Sequence, residues 1–139
     1  MNYLERHRPF RLSFALMIAT AAAGFATRFA PLGLPPVVVK YGGSMLWALL
    51  IYWMVSSILP STRLLTIAAL TSMLTAAVES FKLYHSPALD GFRRTLPGIL
   101  LLGRLFSVRN ILAYWLAIAL GVLIDSAIRS TIKESITCI

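Results

Sequence analysis

The sequence predicts an all-α integral membrane protein: a compact bundle of four transmembrane helices, with a short interfacial or re-entrant helix between the third and fourth. Three observations carry this. Hydrophobic residues make up 58% of the 139-residue chain and charged residues only 13%, with a mean hydropathy of +0.79. A soluble domain of this size cannot hide that much apolar surface, so lipid must solvate it. The apolar residues fall into four runs, at about 12–29, 45–59, 64–83 and 108–128, within a single membrane domain spanning 1–139. Lys and Arg gather at the ends of those runs, where anionic head groups accept them. That placement explains the net charge of +8 without nucleic acid. There is no glycine-rich phosphate loop, zinc spacing or nucleic-acid module, and so no cofactor or metal is expected. Cys138 is the single cysteine, which excludes an internal disulfide.

The chain opens on a polar basic stretch, with Arg6, Arg8 and Arg11 against Glu5. The apolar run that follows resembles a secretory signal, but we expect a retained first span. Ala15, Ala19 and Ala23 recur every fourth residue along it, a spacing that lets helix backbones pack closely in lipid. Pro31, Pro35 and Pro36 end the span and predict an extended connector through Lys40 to Gly43. The second span carries Trp47, Tyr52 and Trp53. The tight turn Pro60-Ser61-Thr62 makes the second and third spans antiparallel neighbours.

Ser72, Thr75 and Glu79 share one face of the third span. Glu79 lies 16 residues past Arg63, roughly 24 Å of helix, near the far edge of the hydrocarbon. Lys82 follows at i+3 and can pair with it. The segment from Tyr84 to Arg109 is too apolar for a free loop. Its apolar core, Leu96 to Leu102, is too short to cross a bilayer. We expect one short helix at about 95–106, with Pro97 in its first turn. Around it lie His85, Asp90, Arg93, Arg94, Arg104 and Arg109. In the fourth span Ala113, Ala117 and Gly121 form a second small-residue face, and Asp125 and Arg129 can pair at the opposite interface. The tail from Ser130 is expected to be short and frayed.

Four antiparallel spans bring the 1–2 connector and the 3–4 segment to the same end. That end holds seven bases against two acids, and the other holds six against three. The Lys and Arg bias between the ends is slight. The N-terminal cluster favours both termini in the cytoplasm. The residues in position to contact a ligand are Glu79, Lys82, His85, Asp90, Arg93, Arg94 and Arg104. Arg93 and Arg94 would clamp an anion, Lys82 would act as a point charge, and Glu79 and Asp90 would order the site.

The strings KYGGSMLWALLIY (from Lys40), VESFKLYHSPALDGFR (from Val78) and LGRLFSVRNILAY (from Leu102) resemble the family DUF2809, over about residues 24–121. The resemblance implies a small multi-pass protein of the bacterial cytoplasmic membrane, with no assigned reaction. The order Glu79, Arg93 or Arg94, Asn110, Gly121 is similar, more loosely, to VanZ-like proteins of the cell envelope, and adds Asn110 to the candidate ligand contacts. Against the DUF2809 pattern, Ser44 stands where an acid is common, Lys82 where a glutamine is usual and Asn110 where an aspartate is frequent. Each change makes the face less acidic and favours an anion over a cation.

Three function classes follow. One is a protein that binds an anionic lipid or lipid-linked precursor, with membrane lipids as its partners. Another is an accessory subunit that packs its small-residue faces against other membrane proteins. The third is a membrane enzyme with Glu79 or His85 as base. No nucleophile–base pair supports the last, so no catalytic residue is assigned. A transporter would need a charge near mid-span, and none is present.

Overall fold

The computed structural model describes residues 8–103 and 105–137. Arg104, Glu5, Arg6 and Cys138 lie outside the described residues. Six helices follow in order: α1 (Phe10–Phe29), α2 (Pro36–Ile58), α3 (Leu64–Phe81), α4 (Pro87–Arg93), α5 (Leu96–Leu101) and α6 (Val108–Thr137). Among them α1, α2, α3 and α6 are long and apolar enough to cross a membrane.

The elements differ from the sequence expectation at three places. α2 begins at Pro36, with proline in its first turn, so Lys40 to Gly43 is helical. Glycines that would break a helix in water are tolerated in an apolar span, where an unmade backbone hydrogen bond is costly. The segment after α3 forms two short helices, α4 and α5, each started by its own hydroxyl cap: Ser86 accepts from the Leu89 amide and Thr95 from the Gly98 amide. α6 continues to Thr137. No Gly or Pro follows Gly121 to stop it. Its 30 residues span roughly 45 Å, more than the hydrocarbon layer requires.

Hydrophobic burial is inverted relative to a soluble fold. Phe10, Ile18, Phe25, Leu65, Met73, Leu116 and Leu123 are exposed, while Ser13, Thr20, Thr71, Thr75, Glu79, Asn110 and Asp125 are buried. Only a lipid solvent makes that distribution favourable. α2 is the central helix and packs against α1, α3 and α6. The core holds Tyr52, Trp53, Ile67 and Ile118, extended by Ala48, Tyr114 and Ala117. Gly121 lets α6 close on α2, since a Cβ there would stand 3.0 Å from Leu49 and Tyr52. Ala113 is half-buried on the same helix. Ala15, Ala19 and Ala23, by contrast, are exposed. α1 docks through Leu16 and Met17 and through Thr20, which accepts a hydrogen bond from the Trp53 indole at 3.2 Å. The buried face of α3 is Ile67, Thr71, Thr75 and Glu79, with Thr71 in place of the expected Ser72. Each threonine hydroxyl donates to the carbonyl four residues back, so neither is left unpaired in lipid.

Candidate functional site

The polar groups of the bundle gather at its two ends, each around one fully buried carboxylate. At the end formed by the 1–2 connector and the α3–α6 segment, this is Glu79. One oxygen accepts from Lys82 Nζ at 2.5 Å and from the Tyr114 hydroxyl at 2.7 Å. The other accepts from the Ser107 amide at 2.8 Å and from Asn110 Nδ2 at 3.2 Å. Four donors from α3, from the loop before α6 and from α6 itself thus meet on one side chain. A buried carboxylate held this way is charge-balanced and nearly saturated. Gly103 crosses directly over Lys82. Its φ of +67° suits glycine, and a Cβ there would sit 3.1 Å from Lys82 Nζ. The anticipated Glu79–Lys82 pair therefore forms beneath a backbone lid.

Beside it lies a second group. Arg93, although charged, is buried. It donates to the Phe81 and Tyr84 carbonyls, both at 2.8 Å, and to Asp90 at 3.1 Å. Its guanidinium also sits 5.9 Å from the Phe81 ring centroid. Arg93 is thus a tie between the C-terminus of α3 and α4, supplying donors to carbonyls that helix geometry leaves open. His85 Nδ1 is 3.2 Å from Asp90. The His85 hydrogen bond, with help from Arg93, holds the Asp90 carboxyl below its usual range.

The structure thus brings Glu79, Lys82 and Asn110 into one cluster and His85, Asp90 and Arg93 into an adjoining one. Arg94 belongs to neither and is exposed, as is Arg109. Among the described residues no group of His, Cys, Asp or Glu could hold a metal. Sequence reasoning missed Tyr114 and the Ser107 amide. A tyrosine four residues after Asn110, inside an apolar run, was the available sign. Of the positions that depart from the family pattern, Lys82 and Asn110 both fall on this cluster. Ser44 donates instead to the Lys40 carbonyl at 3.1 Å.

The family model for DUF2809, proteins of unknown function, matches residues 33–118. The chain belongs to the DUF2809 family. The matched region contains every member of the Glu79 cluster and both short helices of this DUF2809 protein. No curated protein and no solved structure matches the chain.

The other end is built on Asp125. It accepts from Tyr52 at 3.2 Å and Ser56 at 2.9 Å on α2, and from Arg129 Nε at 3.0 Å one turn on. Arg129 also donates to Ser56 at 3.2 Å, so the expected Asp125–Arg129 pair is realised as part of a network. Arg8 joins from before α1, with Nη1 3.2 Å from Asp125. Nothing in the local sequence pairs Arg8 with Asp125, which lie at opposite ends of the chain.

Proposed function

We propose that this DUF2809 protein binds anionic lipid head groups, or the phosphate of a lipid-linked envelope precursor, at the end of the bundle that carries Glu79. One observation carries the reading. Arg28, Lys40, Arg94 and Arg109 are exposed at that end. Among the described residues no acid pairs with them, because Glu79 is taken by Lys82 and Asp90 by His85 and Arg93. Lys82 and Arg93 point inward, so the ligand contacts fall to the exposed bases, and Arg93, tied to the end of α3, fixes the end of α4 that displays Arg94. Each exposed base near an anionic surface contributes about 1 kcal/mol.

Native mass spectrometry of protein purified with phosphatidylglycerol tests this. Arg94→Ala with Arg109→Ala is expected to lose retained lipid at an unchanged melting temperature. Arg93→Ala is expected instead to lower the melting temperature, because it opens the α3 terminus. Undiminished retention in the first variant would refute the reading.

A second reading rests on a separate observation. Ala15, Ala19 and Ala23 present a small-residue stripe on α1 that no helix among the described residues covers. In an accessory subunit that stripe would receive a helix of another membrane protein. Crosslinking from Ala19→Cys in native membranes distinguishes the two: a defined heterologous product supports the subunit, and none supports the lipid-binding protein.

A further inference from the structure

At the Asp125 end, α6 outruns the bundle. Arg129, which donates to Ser56 and to the Pro60 carbonyl at the end of α2, marks the rim. The helix continues from Ser130 to Thr137, roughly 12 Å of further rise. Its isoleucines follow a pattern. Ile128, Ile132 and Ile136 recur every fourth residue, and positions 132 and 136 stand seven and eleven past Asp125, on the face that carries that carboxylate. Ile128 and Ile132 are half-buried, while Ser130, Thr131 and Lys133 beside them are exposed. An apolar row on a helix that has left the hydrocarbon is favourable only under an apolar cover. The chain that leads into α1 starts at the root of this face. Arg8 is buried. Its Nε donates to the Ser13 hydroxyl at 2.9 Å, its Nη1 is 3.2 Å from Asp125, and its guanidinium carbon lies 4.8 Å from the Trp53 ring centroid. Those contacts hold residue 8 beside Asp125, with Met1 to His7 still to be placed.

We propose that the segment Met1 to His7 docks along the projecting part of α6, with Leu4 against Ile132 and Glu5 beside Lys133. Three observations select this occupant. The first is reach. Glu5 stands three residues before Arg8, about 10 Å of extended chain. Lys133 stands eight residues past Asp125, about 12 Å of helix. Starting from a common root, the two arrive at the same level. The second is composition. Tyr3 and Leu4 are bulky and apolar and fall where the isoleucine row runs. The third is charge. Glu5 is the single acid of the segment, and the flank of the row carries Arg129 and Lys133. Other occupants fit less well. A lipid head group would suit the bases but not isoleucines raised above the hydrocarbon. A second copy, parallel in the same membrane, would set Lys133 against Lys133 across a two-fold axis. Docked this way, the segment roofs the Asp125, Arg8 and Arg129 network and ties both termini together at one end of the bundle. It does not depend on the exposed bases at the other end.

Disulfide trapping of the full chain in native membranes tests this. Cys138→Ser removes the single native thiol. Leu4→Cys and Ile132→Cys are then introduced together and oxidised with copper phenanthroline. Neither position belongs to the core of the bundle, so the variant is expected to insert and to elute as the parent does. A monomer that yields one joined peptide after trypsin is expected, because two cysteines bridge only when their Cα atoms come within about 7 Å. Leu4→Cys with Ile124→Cys should stay reduced, since Ile124 is 43% exposed on a different face of α6. Glu5→Lys, added to the Leu4→Cys/Ile132→Cys protein, is expected to lower the linked fraction by about threefold. Adding Lys133→Glu to that variant should restore it. A disulfide-joined dimer would assign the isoleucine row to a second copy, and no disulfide at all would assign it to lipid. Either result overturns the proposal, as does an equal linked fraction with Ile124→Cys. A linked fraction indifferent to Glu5→Lys overturns the pairing of Glu5 with Lys133.

Discussion

The two ends of the bundle solve one problem, a carboxylate with no access to water, in opposite ways. Glu79 takes its counter-ion from the same helix, at i+3, and its remaining acceptor sites are filled by a loop amide, an amide side chain and a phenol. Asp125 faces two guanidiniums, and among the described residues the terminal nitrogens of Arg8 make no hydrogen bond, although Nη1 stands 3.2 Å from the carboxylate. The first arrangement is a fastener, because its ion is balanced and closed over by Gly103. The second is incomplete, since Arg8 has buried nitrogens with no hydrogen-bond partner among the described residues. The family match divides along the same line. It encloses the whole Glu79 cluster but stops before Asp125 and Arg129 and begins after Arg8. The fastener thus belongs to the matched core, and the incomplete end draws on residues outside it.

The contrast can be broken most directly at its two acids. Glu79→Leu strands Lys82 under the loop and is expected to cost about 3–5 kcal/mol, with Glu79→Leu/Lys82→Leu recovering most of it. Asp125→Asn should cost less, about 1–3 kcal/mol, because Arg129 still reaches Ser56 and the Pro60 carbonyl. Thermal unfolding in detergent measures both, and equal losses would erase the distinction.

The lid sharpens it next. Gly103→Ala combines a left-handed backbone with a clash against Lys82, and about 1–3 kcal/mol is expected. Gly33→Ala is the control, with a similar φ of +63° and nothing within 4 Å. If the two cost the same, the contact with Lys82 contributes nothing.

A smaller difference separates the two phenols. Tyr114→Phe removes a 2.7 Å bond to Glu79, and Tyr52→Phe removes a 3.2 Å bond to Asp125. The first should lose more, each lying near about 1 kcal/mol. The reverse order would mean that Asp125 is the tighter fastener.

The smallest effect belongs to Asp90, which lies in solvent rather than in the core. Its folded pKa is lowered from 3.8 by His85 and Arg93. The associated stability is complete above that ordinary value and is lost as pH falls through the lower folded one. A slight fall in melting temperature below about pH 4 is expected in the parent and absent in Asp90→Asn. A large fall would move Asp90 from surface to framework.

Much of this was determined by the sequence alone. Four apolar runs with bases at their ends admit little but a membrane bundle, since lipid is the only solvent that accepts them. The Glu79–Lys82 and Asp125–Arg129 pairs were legible because helical spacing is a local property. Tertiary structure decided the rest. It turned Arg93 inward onto the end of α3, set Tyr114 and the Ser107 amide against Glu79, left the α1 alanines uncovered and brought Arg8 to Asp125. No periodicity encodes those contacts. They depend on which faces of α1, α2 and α6 meet, and that is settled by packing around Trp53 and Gly121 between residues far apart in the chain.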